Sequence, residues 1–317
     1  MTASKWSIDG QVYERLLTIE CFQGLTPQQI QVQRLGGLTN INYRVETPSG
    51  RFVLRLPGPG TLDYIDRQAE EHNAQSAADA GVNAEVIHFD SEDGCMVCRY
   101  VEGAVTMSIE AFRDLGAVER AGRVLRRLHD TSAPFCSDFG LFSQMDRYLA
   151  LLKKLEAPLP EGFDCVRRDA QAVRAALERW DLPQAPCHCD PLYENFLDVG
   201  DRMYLIDFEY AGNNDPMWDL GDLSVESEFT AEQDQQLLNA YFDRGPKPFD
   251  VARMSMYKAL SDLLWTLWGV VQHANQNPAD DFWAYAVNRL RRCRNLMATS
   301  EFRSHLEVVQ GGPQSAG

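Results

Sequence analysis

Apolar positions along the chain change their period repeatedly, and each change predicts a different element. Tyr13, Leu16 and Leu17 recur at the spacing of a helical face, so the first thirty residues read as helical turns. From residue 30 the pattern alternates and becomes rich in β-branched side chains. Residues 30–35, 41–47 and 51–56 read as strands, with Pro48-Ser49-Gly50 turning the chain between the last two, which predicts an antiparallel meander. Residues 65–80 follow as a helix stopped by Gly81, and residues 85–89 and 95–101 as two strands about the turn Ser91-Glu92-Asp93-Gly94. Glu102-Gly103 reads as a hinge. Beyond it the helical period dominates, over 109–129, 145–155, 165–180, 237–244 and 251–297; residues 186–206 break it with short apolar runs that suggest strands around a loop.

These elements assemble into an α+β fold of two lobes. Residues 1–102 form a small lobe of antiparallel sheet with one helix, residues 103–310 a larger, mainly helical lobe, and residues 311–317 a disordered tail too polar and turn-rich to repay ordering. A cleft between lobes is a usual place for a ligand. Between the first two strands lies Gly36-Gly37-Leu38-Thr39-Asn40, a tight loop whose glycines allow close backbone approach to a bound group.

Composition narrows the partners. The 317 residues are 44% hydrophobic and 24% charged, as in a globular protein. With 46 acidic against 30 basic side chains the formal charge is −16, which repels nucleic acid and anionic membrane surfaces and favours small cations. The N-terminal residues lack the basic and apolar segments of a secretory signal. Residues 259–274 are too short and too interrupted by Ser261, Asp262 and Gln272 to insert in a membrane, so a cytoplasmic location is expected. The eight cysteines read as reduced thiols. Cys95 and Cys98 beside Cys187-His188-Cys189 suggest zinc ligands by type, but positions three apart on a strand face opposite sides, and zinc is not expected.

The sharpest chemical signal is His188-Cys189-Asp190-Pro191-Leu192-Tyr193-Glu194-Asn195, followed by strand-like residues 203–206 and then Asp207-Phe208-Glu209. Phosphoryl transfer needs a carboxylate to orient and deprotonate the attacking hydroxyl, and oxygen ligands to hold magnesium against phosphates. Asp190 suits the first task, Asn195 and Asp207 the second. His188 reads as a structural residue hydrogen-bonding the loop backbone.

With this H-x-D-x-x-x-x-N loop and the Ile-Asp-Phe after it, the chain resembles the choline and ethanolamine kinases, and more distantly the aminoglycoside phosphotransferases; the fold implied is protein-kinase-like. Leu35-Gly-Gly-Leu-Thr-Asn40, Val53-Leu-Arg-Leu-Pro-Gly58, Arg67 with Glu70 and Asn73, the Asp190 loop, Leu205-Ile-Asp-Phe-Glu-Tyr210 and Asn214-Asp-Pro-Met-Trp-Asp219 stand in the family's order, over roughly residues 30 to 290. The resemblance implies ATP and Mg2+ as cofactors. It places Gly36 to Asn40 over the phosphates, Arg55 where protein kinases have a strand lysine, Glu70 as its ion-pair partner, and the nucleotide against the hinge at Glu102. Asp190 becomes the catalytic base, and Asn195 and Asp207 the magnesium ligands. The alternative reading of Arg55 is a solvated strand charge.

Trp265 and Trp268, three apart, share one face of a helix. From spacing alone such a pair reads as core aromatics. The resemblance implies instead a cage for a quaternary ammonium, with Tyr285 and Glu226 as a further aromatic and an acid. The expected partner is therefore a small cationic alcohol, choline first. Ethanolamine, an aminoglycoside, thiamine, or a catalytically silent nucleotide-binding role stand as alternatives.

Overall fold

The computed structural model describes residues 10–36, 40–58, 65–131 and 133–313, so Gly37, Leu38 and Thr39 of the glycine loop lie outside the described residues. The chain divides into two units: one runs through Val105 and takes back Leu197–Tyr210, the other comprises Thr106–Phe196 and the chain from Ala211 onward. The sequence reading ended the first unit at Glu102 and did not anticipate the return of Leu197–Tyr210.

In the first unit α1 (Gly10–Thr18) precedes β1 (Gln31–Arg34), β2 (Ile41–Thr47), β3 (Gly50–Leu56), α2 (Arg67–Asp79), β4 (Val86–Asp90) and β5 (Cys95–Arg99). The strands form one antiparallel sheet in the order β1-β2-β3-β5-β4. Alternation in β2 and β3 puts Val45 opposite Phe52, and Leu54 pairs with Val97. All four are buried against Val12, Leu16 and Phe22; of the helical face read from the sequence, Leu16 is buried here while Tyr13 and Leu17 are half-buried. Fully burying a side chain such as Leu54 contributes about 1.5–3 kcal/mol relative to exposure.

Helix α2 is unusual in what it buries. Asp66 caps it by accepting from the backbone N–H groups of Gln68 and Ala69, and its inward face carries Arg67, Glu70 and Asn73 beside Ala74 and Ala77. Buried charges persist only when paired, so this face marks a polar centre rather than a core stripe. The hairpin of β8 (Phe196–Asp198) and β9 (Met203–Leu205) belongs to this unit from Leu197 on; the Leu205 N–H donates to the Val82 carbonyl at 3.0 Å.

Short β6 (Val105–Thr106) stands at the boundary. The second unit then contains α3 (Leu115–His129), α4 (Leu141–Lys154), α5 (Phe163–Leu177), the antiparallel pair β7 (Ala185–Cys187) and β10 (Gly212–Asn214), α6 (Met217–Glu226), α7 (Ala231–Tyr241), α8 (Pro248–Ala274), α9 (Phe282–Met297) and α10 (Ser300–Gly311). Helix α8 packs against α4, α6, α9 and α10 and is buried nearly all round, with Arg253, Ser261 and Asp262 among its buried polar residues. The sequence reading carried one helix over 251–297. The chain breaks it at Asn275, where a Pro278-containing turn intervenes and Asp281 caps α9. Gly311 ends α10 instead of opening a tail, and residues 314–317 lie outside the described residues.

No described helix is long and apolar enough to cross a membrane. None of the eight cysteines forms a disulfide; Cys21, Cys136 and Cys165 are exposed and five are buried. Burial pushes the Cys98 thiol up to about 12 and raises those of Cys187, Cys189 and Cys293 well above the usual range. Titration of the native protein with Ellman's reagent should therefore modify the three exposed thiols rapidly and the other five only after denaturation. Fast reaction of more than three would contradict this packing.

Candidate active site

The polar centre of the first unit is built on β3, α2 and the chain after β9. Arg55, buried on β3, forms an ion pair with Glu70 and reaches the Asp207 carboxylate at 3.2 Å, while its other amino group donates to the Gly94 carbonyl at 3.3 Å. Arg67 bonds the second Glu70 oxygen at 2.5 Å and lies 3.5 Å from Glu209, which also accepts from the Asn40 amide at 3.0 Å. A Cβ on Gly94 would stand 2.6 Å from the Arg67 Nε, so only glycine lets that guanidinium pass. Gly36 lies at the other end of the loop from Asn40 and accepts from the Asn42 amide at 3.1 Å. Glu102 is not part of this group: it is exposed and pairs with Arg51 at 2.5 Å.

Carboxylate oxygens of Glu70, Asp207 and Glu209 approach within 4.8 Å of one another. Three carboxylates thus face two guanidiniums, those of Arg55 and Arg67. Burial raises the Asp207 carboxyl, with Arg55 opposing, and burial together with Asp207 pushes Glu209 up to about 7. A crowded set of hard oxygen donors fits a magnesium ion better than a soft metal. A second cluster, His129, Cys187 and Asp219, is organised without one. There His129 bridges Asp219 at 3.0 Å and the Tyr241 hydroxyl at 2.9 Å, and burial holds the Cys187 thiol well up.

Asp219 holds the loop that carries Asp190. Its two carboxylate oxygens accept the backbone N–H groups of His188 at 2.7 Å and Cys189 at 2.9 Å, and the Trp218 indole donates to the Cys189 carbonyl at 3.0 Å. Cys189 takes a left-handed backbone, φ 68°, uncommon for a residue with a Cβ and sustained here by these bonds. Beyond it Asn195, in a 3-10 turn, donates its amide to the Asp190 carbonyl at 3.0 Å, so these two predicted residues sit together.

Helices α6, α8 and α9 bring the predicted substrate residues together as well. Trp268 meets Trp265, Tyr285 and Phe282 edge to face at centroid distances of 6.1, 5.8 and 5.4 Å. Gly269 permits this, because a Cβ there would stand 2.7 Å from the Tyr285 ring. Glu226 binds Arg289 at 2.5 Å, and the Arg289 guanidinium lies 4.9 Å from the Tyr285 centroid. Burial, Glu226 and Asp190 act to raise the Tyr285 phenol and Arg289 opposes them, so the loop carboxylate lies within electrostatic reach of the aromatic group. The sequence reading did not assign site roles to Asp219, Asp222, Arg289, Arg67 or Glu209. Acids at 219, 222 and 226 on one short helix were the available signal.

The residues from 31 to 257 match the phosphotransferase enzyme family, and the chain belongs to it. The chain is thus a phosphotransferase with a protein-kinase-like fold, and its acceptor group is an alcohol. Within that class it is similar to a choline/ethanolamine kinase family protein from Mesorhizobium loti, with 48% identity, TM-score 0.87, and 95% of this chain and 99% of that one covered. The choline kinase LicA from Streptococcus pneumoniae is 30% identical at TM-score 0.76, covering 91% and 98%. The LicA protein of Haemophilus influenzae is 29% identical over 88% of this chain and 83% of its own.

Proposed function

We propose that the protein transfers the γ-phosphoryl group of ATP to the hydroxyl of choline, giving phosphocholine and ADP, in the cytoplasm. The choice of acceptor is carried by the Trp265, Trp268 and Tyr285 rings gathered beside buried carboxylates. A quaternary ammonium has no N–H to donate and is recognised by ring faces and nearby negative charge. The similarity to LicA, described as a choline kinase, supports the same acceptor.

In this reading an Asp190 carboxylate oxygen accepts the hydroxyl proton while the acceptor oxygen attacks the γ-phosphorus and ADP leaves. The Gly36–Asn40 loop, Arg55 and the hinge at Glu102 are assigned to the nucleotide, with Glu70 holding Arg55. Magnesium binding is assigned to Asp207 and Asn195; the bound ion neutralises charge on the phosphate oxygens. Ethanolamine is the second reading, favoured by similarity to a choline/ethanolamine kinase family protein. Its primary ammonium carries three donors and relies on carboxylates more than on rings.

Trp265→Leu and Trp268→Leu test the choice. Each should raise the KM for choline by about twofold to thirtyfold, the equivalent of about 0.5–2 kcal/mol of cation–π attraction, with KM for ATP unchanged and ethanolamine affected less. Choline kinetics indifferent to both rings would argue for core packing and against the cage.

A further inference from the structure

The sequence points to Glu226 as the acid of the acceptor pocket, but the structure engages it elsewhere. Both Glu226 oxygens turn to one amino group of Arg289, at 2.5 and 2.6 Å. Asp262 faces Arg289 at 3.2 Å and Arg292 at 3.3 Å. Among the three buried acids here, Asp222, Glu226 and Asp262, these two are matched by the two guanidiniums, and Asp222 is left over. It is fully buried on α6. One of its oxygens accepts from the Ser261 hydroxyl and from the Trp265 indole at 3.0 Å, while Oδ2 has no hydrogen-bond partner.

Isolating a carboxylate oxygen in a protein interior is costly unless something compensates it. Through the Trp265 indole, Asp222 is tied to the ring cluster of Trp268 and Tyr285. The geometry points to Asp222 as the residue whose carboxylate balances the positive charge of the acceptor, with Glu226 serving to fix Arg289 against Tyr285. This deepens the choline-kinase reading and rests on it. Burial first, and Glu226 next, hold the Asp222 carboxyl well above its usual range. A cation entering beside Trp265 would favour its ionised form, as an opposite charge nearby does.

The rival role for Asp222 is a neutral, purely structural carboxyl bonding Ser261 and Trp265, and asparagine preserves that role while removing the charge. The experiment compares choline with 3,3-dimethylbutan-1-ol, its uncharged isostere, as acceptors for the parent and for Asp222→Asn, with Asp222→Ser as a second neutral variant should the first not fold. The parent should prefer choline in kcat/KM. In the variant the KM for choline should rise at least about tenfold, in line with removal of one member of a buried charge pair. Its KM for ATP and its kinetics with the isostere should stay within about twofold. A folded variant that keeps the parent's preference for choline overturns the inference and leaves the kinase reading intact. A parent that phosphorylates no cationic alcohol overturns both.

Discussion

Replacing Asp190 by asparagine should lower kcat by about a hundredfold to ten-thousandfold, the usual worth of a positioned general base. The amide cannot take the hydroxyl proton. KM for ATP should stay within about twofold, because Asp190 is assigned to the acceptor and not to the nucleotide. The fold should persist, since the loop is held by Asp219 and by the Asn195 amide on the Asp190 backbone carbonyl, neither of which uses the Asp190 carboxylate. The measurement is steady-state ADP release alongside a thermal melt. Turnover within about threefold of the parent, with the melt unchanged, would remove Asp190 from the role of base.

Asp219→Asn should damage stability and turnover together. Asp219 is fully buried, and its two oxygens accept two backbone N–H groups and face the His129 ring. An asparagine amide turns one acceptor into a donor aimed at another donor. Breaking a buried charged arrangement by altering one partner typically costs about 3–5 kcal/mol. Because the left-handed backbone at Cys189 depends on the same two bonds, the loop carrying Asp190 should lose its fixed geometry. Urea denaturation should show a lower midpoint, and kcat should fall more than KM rises. Unchanged stability would mean that Asp219 does not clamp the loop.

The sheet was legible because half-buried strands write their period directly into the sequence: residues 41–56 became β2 and β3 with Pro48-Ser49 at the turn. The loop from His188 to Asn195 was legible for another reason, a fixed spacing of chemical groups that few other arrangements require. Helix α6 escaped notice because every one of its residues is buried, so it shows no amphipathic face. The return of Leu197–Tyr210 to the first unit is a matter of contacts between residues more than a hundred apart, such as Leu205 with Val82. Arg289 was invisible for the same reason, since it lies 63 residues from Glu226. The family position points to Glu226 as the acid of the acceptor pocket; the pairing of Glu226 and Asp262 with Arg289 and Arg292 is what points to Asp222 instead.

Phosphorus NMR of the purified protein with ATP, magnesium and choline tests whether the phosphoryl group reaches the choline hydroxyl. A phosphomonoester resonance of phosphocholine should grow in step with ADP, dependent on choline and on magnesium. ADP accompanied only by inorganic phosphate, or no reaction with choline or any other cationic alcohol, would contradict it.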